Sequence, residues 1–465
     1  MIIELQNFGP IKSFKFDTSK DMHAIFGKNN VGKSYAISAV YLILKGLKNI
    51  SNNLFMRLEL LDYSSDNFQK NINKIEEGYE KNIGVNLSAD IESMLKDVID
   101  LIFIQQLQTS FYNTYMFENL SNTYLQVPIK IIIRFDNIVI WLSMTDDNKT
   151  IYITNLKVKN KDKSGFYAEV TSSDEKIYSV RYHNNSFGYS KNPNIENNSA
   201  FILKQIVNHL TKEFISKISS EISNYIYYLP ASRSGLYNSL NSFGAIFAEI
   251  SRNRHLLSSK FEIPNLLEPI SDYFLNLNTI DKAQANEHYL KHFEEIEQEI
   301  LKGKITLDDE SKKYYYVPTD TDMRLELSFT SSMISEIAPI IAHLKYIIPL
   351  EGDKPSILFI EEPEAHLHPE IQILLLEYFV KLSKGNVKIV MTSHSNYIFN
   401  KLSNLLIANK IDKEKLSVSL MKMTSEGSVI EEGAMHMDEY GIEDNNFVDV
   451  AEQLYEERVS LLEKL

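Results

Sequence analysis

The pattern of apolar and polar residues predicts a strand-rich start to the chain. Short apolar or alternating runs predict strands at 2–8, 13–17 and 22–26. A repeat of apolar residues at helical spacing then predicts a helix from 33 to 45, which Gly46 is expected to end. The chain is therefore predicted to begin with three strands and a helix.

The middle of the chain changes its period several times. Residues 50–125 lack strand alternation and predict helices, whereas 127–156 contains apolar runs separated by polar turns and predicts a β-meander. The polar stretch 160–198 predicts long loops, and 236–312 is predicted to be mostly helical.

The last third of the chain predicts a parallel sheet. A buried strand is expected at 356–360, a helix from Pro369 to about Gly385, and another strand at 387–391. This order forms a βαβ unit, whose strands are parallel. The predicted fold class is α/β, with a mixed or parallel central sheet, an antiparallel β-meander, helical insertions and a C-terminal helix.

Composition and charge limit the chemistry that the chain can carry. Its 465 residues suffice for two or three packed bodies, and the absence of cysteine rules out disulfides and cysteine-ligated metals. We see no signal peptide and no apolar run near the roughly 18–20 residues of a membrane span, so we expect a cytoplasmic protein without a membrane partner. A net charge of −14 does not favour nonspecific DNA coating. The basic run from Lys157 to Lys163 is expected to be a solvated strand end and loop, with a nucleic-acid contact as the alternative.

A phosphate-binding loop lies between the third predicted strand and the first helix. The stretch GKNNVGKS has the pattern G-x-x-x-x-G-K-S, in which glycines let backbone N–H groups approach phosphates. Lys33 is predicted to bind the β- and γ-phosphates of a nucleotide and to act in catalysis, and the Ser34 hydroxyl to ligate Mg²⁺. The predicted nucleotide-binding residues of the loop are Gly27, Lys28, Asn29, Asn30, Val31, Gly32, Lys33, Ser34 and Tyr35.

Two carboxylates and a histidine follow the strands of the predicted βαβ unit. Glu361 has the position of an acidic metal ligand, and Glu362 that of a group that polarises the attacking water. Adjacent carboxylates beside a buried strand need balancing cations, which Mg²⁺ and Lys33 would supply. Because parallel strands end on one edge, His394 is predicted to lie beside Glu362 and to contact the γ-phosphate or the water.

A metal site is the alternative interpretation of this region. His366 and His368 form an H-x-H pair close to Glu362 and Glu364, a spacing that suits a metal-dependent hydrolase. Against this alternative, a third ligand set is not evident, and Pro369 marks the segment as the start of a helix.

Several stretches together resemble a known family. GKNNVGKS, ILFIEEPEAHLHP and VMTSHS resemble the ABC-type ATPases of the OLD-like (overcoming lysogenization defect) group, which is allied to SMC and RecF-like ATPase heads. YLPASRSG and DEYGIEDNNFVDVAEQLYEE are similar to that group as well. The resemblance implies an ABC-type P-loop ATPase head in which Glu361 is the Walker B acid, Glu362 the catalytic glutamate and His394 the switch histidine.

The resemblance also suggests residues that act across a dimer. Family members close each site with a signature segment of a second subunit, and the matching stretch SFTSSMISEIAPI offers Ser331 and Ser332, although the usual Gly-Gly and Gln are absent. An ordinary helix cap is the alternative for these serines. Arg233 has two possible roles, a contact with the nucleotide or the dimer interface and a structural salt bridge. The Q-loop glutamine is not assigned, and its candidates are Gln105, Gln106, Gln108 and Gln126.

The resemblance implies that ATP joins two heads, each closing the site of the other, in a homodimer or a higher homo-oligomer. Family members often carry a C-terminal Toprim nuclease, for which the stretch after His394 is short. We therefore expect a separate effector subunit, a nuclease or a toxin, in an anti-phage defence system. The alternative is a RecF- or SMC-like repair ATPase that binds DNA directly, although no basic stripe or long coiled coil is visible in the sequence.

The predicted organisation has segments of different kinds along the chain. The ATPase core is expected at 1–49 and 321–465, helical insertions at 50–125 and 236–320, and a β-meander with the return to the core at 126–235. The two insertions are the expected surfaces for docking or assembly.

Overall fold

A computed structural model of the chain contains two compact units. The first comprises Met1–Asp17 and Leu42–Ile222, and the second comprises Thr18–Tyr41 and Ser223–Leu465. The structure describes residues 1–51, 58–81, 83–115, 120–122, 124–125, 127–145, 150–159, 169–172, 177–182, 185–190, 198–239, 266–278, 294–308, 313–349, 353–431, 433–443 and 448–462.

The described strands are, in chain order, β1 (Ile2–Phe8), β2 (Ile11–Asp17), β3 (Met22–Phe26), β4 (Val85–Asn86), β5 (Lys130–Arg134), β6 (Ile138–Met144), β7 (Ile151–Val158), β8 (Glu169–Ser172), β9 (Ile177–Tyr182), β10 (Asn185–Ser190), β11 (Ile226–Leu229), β12 (Gly303–Leu307), β13 (Tyr314–Pro318), β14 (Leu325–Glu326), β15 (Ser356–Glu361), β16 (Val387–Ser393), β17 (Leu416–Thr424), β18 (Gly427–Ile430), β19 (Met437–Asp438) and β20 (Gly441–Ile442). The described α-helices are α1 (Lys33–Lys48), α2 (Asp66–Glu80), α3 (Ile91–Ile99), α4 (Gln105–Tyr115), α5 (Asn198–Glu221), α6 (Glu268–Asn278), α7 (Ser332–Tyr346), α8 (Pro369–Ser383), α9 (Asn396–Ile407) and α10 (Val448–Leu462).

An antiparallel sheet forms the strand layer of the first unit, in the order β2-β1-β5-β6-β7. Strand β1 pairs with β2 from Ile2↔Asp17 and with β5 from Ile2↔Arg134. In β7, buried Ile151 and Ile153 alternate with exposed neighbours, as expected of a sheet with one face on a core. The β-meander predicted at 127–156 is confirmed.

A second antiparallel sheet of the first unit has the order β10-β9-β8-β4. The polar stretch 160–198, predicted to include long loops, also contains β8, β9 and β10, which pair in the registers Glu169↔Arg181 and Asn185↔Tyr182. Backbone hydrogen bonds between strands do not need apolar side chains, so a polar stretch can form a sheet. The alternation within IYSVRY is the sequence signal that points to these strands.

Helix α1 extends beyond the end that the sequence predicts. The helix reaches Lys48 and includes Gly46. A Cβ at Gly46 would lie 3.1 Å from Cε2 of Phe103, which is tighter than most side-chain contacts. The glycine therefore serves close packing and does not end the helix.

Parallel strands form the core of the second unit, in the order β11-β15-β16-β3-β17, and β18 runs antiparallel to β17. Strand β15, helix α8 and strand β16 form the predicted βαβ unit. Residues 356–360 are all buried, as in a parallel strand covered on both faces. Glu361 pairs with Thr392, and Ser393 with Phe26, so the carboxyl ends of β15, β16 and β3 meet at one edge. The α/β class with a mixed central sheet is confirmed.

A small antiparallel sheet of the second unit, β12-β13-β14, contacts helix α7. Strands β12 and β13 fall within the segment 236–320 predicted to be helical, which also contains α6. Lys345 of α7 donates to Glu297 Oε1 at 2.8 Å and to the Ile305 carbonyl at 3.1 Å. Glu297 is fully enclosed, so this ion pair fastens the end of α7 to β12.

Helix α10 confirms the predicted C-terminal helix. Among the residues that the structure describes, no helix has the length and apolar character needed to cross a membrane. The division of the chain into core segments and insertions stays a prediction.

Candidate active site

The loop between β3 and α1 has the backbone conformation that its glycines predict. Gly27 has φ +147°, and a Cβ there would lie 2.5 Å from the Met421 carbonyl oxygen of β17. Gly32 has φ 81°, and Asn30, whose residue type tolerates the left-handed region, has φ 62°. Close approach to β17 and positive φ values therefore both restrict the loop to this sequence pattern.

The side chains of the loop differ in exposure. Lys28, Asn29 and Asn30 are exposed, Val31 is buried, and Tyr35 is half-buried at the start of α1. Burial raises the pKa of the Tyr35 hydroxyl, which therefore stays protonated at neutral pH. The exposed tip leaves the backbone N–H groups of the loop accessible to a ligand.

Lys33 is the buried cation of the loop, with only 5% of its surface exposed. Its Nζ donates to the carbonyl oxygens of Gly27 and Lys28, each at 2.9 Å, and lies 3.1 Å from Nε2 of His394. Within the described part of the chain, its hydrogen-bond partners are thus carbonyls and an imidazole. Burial lowers the pKa of Lys33 to about 8, against the raising effect of the Glu362 and Glu364 charges.

Glu361 ends β15 and is held at both carboxylate oxygens. The Ser34 hydroxyl donates to its Oε2 at 2.8 Å, and the Tyr228 hydroxyl of β11 donates to its Oε1. Burial raises the pKa of the Glu361 carboxyl, against the lowering effect of these two hydrogen bonds. The structure thus brings Ser34 and Glu361 together, and it adds Tyr228, which the sequence analysis missed.

Glu362 and His394 are hydrogen-bonded to each other at the ends of adjacent strands. His394 Nε2 lies 2.8 Å from Glu362 Oε1, and this hydrogen bond lowers the pKa of the Glu362 carboxyl. Glu362 has φ 40°, a left-handed conformation that is strained for a glutamate. Both side chains are partly exposed, so a ligand or a water molecule has access to them.

Glu364 supports the histidine from the turn that follows. Its Oε1 accepts hydrogen bonds from Ser393 Oγ at 2.8 Å and from the His394 backbone N–H at 2.7 Å. Its Oε2 is buried without a hydrogen-bond partner among the described residues. The sequence analysis considered Glu364 only as a metal ligand, whereas the structure assigns it to the backbone that positions His394.

Arg233 is fully buried and forms the structural salt bridge that was one of its two interpretations. Its Nε lies 3.4 Å from Glu336 Oε2 of α7. Its Nη1 donates to the Glu361 carbonyl at 2.8 Å, and its Nη2 to the Glu362 carbonyl at 3.3 Å. A side chain this enclosed is not a surface contact, and it instead holds the backbone of both glutamates.

Ser331 and Ser332 lie at the exposed start of α7. Ser331 is the N-cap, and its side chain accepts a hydrogen bond from the Ile334 N–H. Over the described ranges, neither serine hydrogen-bonds to the loop 27–35. The structure therefore does not bring the serines into the Lys33 site of the same chain.

The histidine pair at 366 and 368 does not gather a set of metal ligands. Both side chains are exposed, and His368 is the residue before the first turn of α8, next to Pro369. In the part of the chain that the structure describes, no group of three or more His, Cys, Asp or Glu side chains could hold a metal ion. The structure therefore gives no support to the metal-hydrolase alternative.

Two remaining predictions fall partly outside the described residues. Lys157 and Lys159 are exposed at the end of β7, and Lys161 and Lys163 lie outside the described ranges. Gln108 accepts a hydrogen bond from the Ile151 N–H, and the Q-loop assignment stays open. Gln126 also lies outside the described ranges.

The site fits a nucleotide with a divalent cation. Lys33 is a buried amine whose charge is unfavourable until an anion approaches, which suits a phosphate chain. The Ser34 hydroxyl and the Glu361 carboxylate, which are in direct contact, are oxygen ligands of the kind that Mg²⁺ prefers. A phosphate loop after one parallel strand, with carboxylates and a histidine after its neighbours, defines a P-loop ATPase of the ABC type.

The chain belongs to the AAA ATPase domain family, which matches residues 1–399. It is 25% identical over 401 residues to Endonuclease GajA of Bacillus cereus (strain HuB5-5), covering 81% of this chain and 52% of GajA. The chain thus spans about half the length of this relative. The resemblance to OLD-like ABC-type ATPases is confirmed.

Two solved structures show a weaker likeness. An SMC head domain from Thermotoga maritima has 10% identity and a TM-score of 0.32, covering 92% of this chain and 97% of that chain. An SMC head bound to the C-winged helix domain of ScpA has 13% identity and a TM-score of 0.35, covering 92% of this chain and 96% of that chain. At such low TM-scores, neither likeness supports a conclusion about this chain.

Proposed function

We propose that the chain binds ATP and hydrolyses it to ADP and phosphate. The observation that carries this proposal is the buried amine of Lys33, placed between the loop carbonyls and His394 and near the charges of Glu362 and Glu364. A buried cation with neutral hydrogen-bond partners is suited to an anionic ligand. Neighbouring carboxylates would be unfavourable there without the metal cation that accompanies ATP.

Each residue of the site has a separate role in this proposal. Lys33 would bind the β- and γ-phosphates, while Ser34 and Glu361 would hold Mg²⁺, which neutralises charge on phosphate oxygens when it is bound. Glu362, whose lowered pKa keeps it ionised at neutral pH, would accept a proton from the attacking water. His394 would orient Glu362 through their hydrogen bond.

The ATP-binding proposal is tested by Lys33→Ala. We expect this variant to lose binding of a fluorescent ATP analogue and release of phosphate, because the buried amine is removed. Lys410→Ala is the matched control, since Lys410 is an exposed lysine of the same unit. Unchanged hydrolysis by Lys33→Ala would refute the assignment of the loop.

We propose further that ATP joins two copies of this chain. The exposed Ser331 and Ser332 begin α7, and their hydroxyl and N–H groups are suited to a phosphate of the other copy. Phe329, with 80% of its surface exposed, lies two positions before Ser331 as apolar surface that a partner would cover. A bound γ-phosphate would then hold the copies together until hydrolysis removes it.

The association is tested with Glu362→Gln, which we expect to retain ATP. Light scattering should show a dimer or a higher homo-oligomer when ATP and Mg²⁺ are added, and monomers in their absence. If this variant binds ATP and remains monomeric across the accessible concentration range, the association proposal is wrong.

We propose that the ATPase gates a separate effector, a nuclease or a toxin, in anti-phage defence in the cytoplasm. The similarity to about half of an endonuclease supports a nuclease as this effector. Incubation with plasmid DNA and ATP tests the proposal, because the chain alone is expected to leave the plasmid intact. Cleavage by the purified chain would contradict a separate effector, and tight duplex binding at physiological salt would favour the DNA-repair alternative.

A further inference from the structure

The buried guanidinium of Arg233 lies between the end of β15, which carries the carboxylates, and helix α7, which begins with the two serines. Nη1 donates to the backbone carbonyl of Glu361, which ends β15, and Nη2 to that of Glu362, the next residue. Nε faces helix α7 and donates to the Glu336 carbonyl at 3.2 Å, next to the Glu336 carboxylate. One rigid, planar group thus contacts the catalytic strand end and the helix that begins with Ser331 and Ser332.

The contact on α7 is equally enclosed. Glu336 has 2% of its surface exposed, and its carboxylate also accepts a hydrogen bond from the Ser234 hydroxyl. It lies four residues after Ser332, which places both on the same side of the first turns of the helix. A buried ion pair that also binds backbone has few alternative partners, so displacement of one end is resisted by the other.

We propose that Arg233 and Glu336 couple the nucleotide site of one copy to the signature serines that this copy presents to another. The inference rests on the proposed function, in which Ser331 and Ser332 meet the phosphate of a second chain. Binding of ATP at Lys33 and Glu361 shifts or tightens the end of β15, and the guanidinium passes this change to the start of α7. Each copy thereby offers its serines in a productive position only when its own site is filled. Arg233 is a positioning residue in this role, since its guanidinium is fully buried and donates to backbone carbonyls beside Glu336.

The second ion pair of α7 provides a matched comparison. Lys345 and Glu297 are also buried, and their distance of 2.8 Å is shorter than that between Arg233 and Glu336. This pair fastens the other end of α7 to β12, and across the described residues it has no hydrogen bond to the strand ends that carry the carboxylates. Loss of either pair perturbs helix α7. Of the two pairs, the one with Arg233 contacts the backbone of Glu361 and Glu362.

The experiment measures hydrogen exchange of the backbone amides in residues 331–337, with and without ATP and Mg²⁺. Ser332→Arg serves as the background, because a bulky cation at this exposed position blocks association and leaves only effects within one copy. Two double variants are compared in this background. One combines Arg233→Met and Glu336→Leu, and the other combines Lys345→Met and Glu297→Leu. Removing both charges of a buried pair is far less disruptive than removing one. ATP binding is titrated separately for every variant.

We expect ATP to slow exchange in 331–337 about tenfold or more in the background and in the Lys345 and Glu297 control, as for a helix start that becomes fixed. In the Arg233 and Glu336 variant, ATP should still bind while the slowing falls below about twofold. If ATP still slows exchange in the Arg233 and Glu336 variant, the inference is overturned. It is also overturned if the background binds ATP and its exchange in 331–337 is not slowed. Failure of the unmodified chain to bind ATP refutes the proposed function instead, and the inference with it. Loss of ATP binding in the Ser332→Arg background alone overturns the inference, because ATP then does not act within one copy.

A second variant keeps the inference testable if the paired change does not fold. Arg233→Lys retains the buried charge, but a single ammonium cannot span the carbonyls of β15 and the carboxylate of Glu336. We expect it to bind ATP and to lose at least half of the ATP-dependent slowing at 331–337. Full slowing in a folded Arg233→Lys variant overturns the inference.

Discussion

Removal of the Tyr228 hydroxyl should selectively raise the Mg²⁺ requirement of the ATPase. Tyr228 donates to one oxygen of Glu361, and Ser34 donates to the other. In Tyr228→Phe the aromatic ring, which stacks on Phe359, keeps its place, and only the hydroxyl is lost. The carboxylate that we propose as a metal ligand then has one of its two side-chain donors.

The size of the effect follows from the charge of the acceptor. A hydrogen bond to an ionised group contributes about 1.5–3 kcal/mol, and about 1.4 kcal/mol corresponds to a tenfold change in an equilibrium constant. Burial already raises the pKa of Glu361, and loss of the hydroxyl raises it further, so Mg²⁺ must displace a proton more often. We therefore expect the Mg²⁺ concentration for half-maximal hydrolysis to rise about tenfold, which is the lower part of this range because a bound cation restores some of the lost stabilisation.

The assay is phosphate release at saturating ATP over a series of free Mg²⁺ concentrations. Tyr227→Phe is the matched control, because Tyr227 is the neighbour on β11 and its hydroxyl donates to the Ile347 carbonyl at 3.1 Å instead. We expect this control to keep the Mg²⁺ requirement of the parent chain. An unchanged requirement in Tyr228→Phe, or an equal rise in both variants, would refute the reasoning.

Three further predictions address catalysis, association and stability. Glu362→Gln should lower steady-state phosphate release by about 10²-fold or more while ATP binding persists, and normal turnover would mean that another group accepts the proton. Ser332→Arg should leave ATP binding by one copy unchanged and abolish ATP-dependent association in light scattering; persistent association would place the interface elsewhere. Burial lowers the pKa of His343 to about 4, so below about pH 6.5 the unfolded chain binds a proton that the folded chain does not. Urea unfolding should therefore show stability falling by up to about 1.4 kcal/mol per pH unit between pH 6.5 and 4, and His343→Gln should reduce this slope; an unchanged slope would contradict the buried neutral imidazole.

The central residues of the site could be predicted because each is tied to a local pattern. Lys33 and Ser34 belong to one short loop, and Glu361 follows a run of buried residues directly. Parallel pairing of β15 with β16 then brings His394 to Glu362, as the predicted βαβ unit implies. Where the local pattern and the strand order agree, residues far apart in the chain can be predicted to lie within hydrogen-bond distance.

The supporting residues could not be predicted, because their partners depend on tertiary packing. Arg233 is separated by 103 positions from Glu336, and no periodicity links them. Tyr228 is one of two tyrosines on a short strand, and only the packed sheet shows which hydroxyl faces Glu361. Strands β8 to β10 were missed because the many polar residues of 160–198 outweighed the alternation within IYSVRY.

The conformation of Glu362 connects the buried network to the proposed chemistry. A non-glycine residue at φ 40° stores roughly 1–3 kcal/mol of strain, which surrounding contacts must offset. The Glu362 carbonyl accepts from Arg233, its N–H donates to the Thr392 carbonyl at 3.1 Å, and its carboxylate pairs with His394. Together these contacts hold the strained backbone of Glu362. Its carboxylate is therefore directed toward His394 and Lys33 before any ligand binds. A relaxed backbone would release the same carboxylate toward solvent, and the strain is therefore better understood as part of how the site is preorganised than as a defect of the turn.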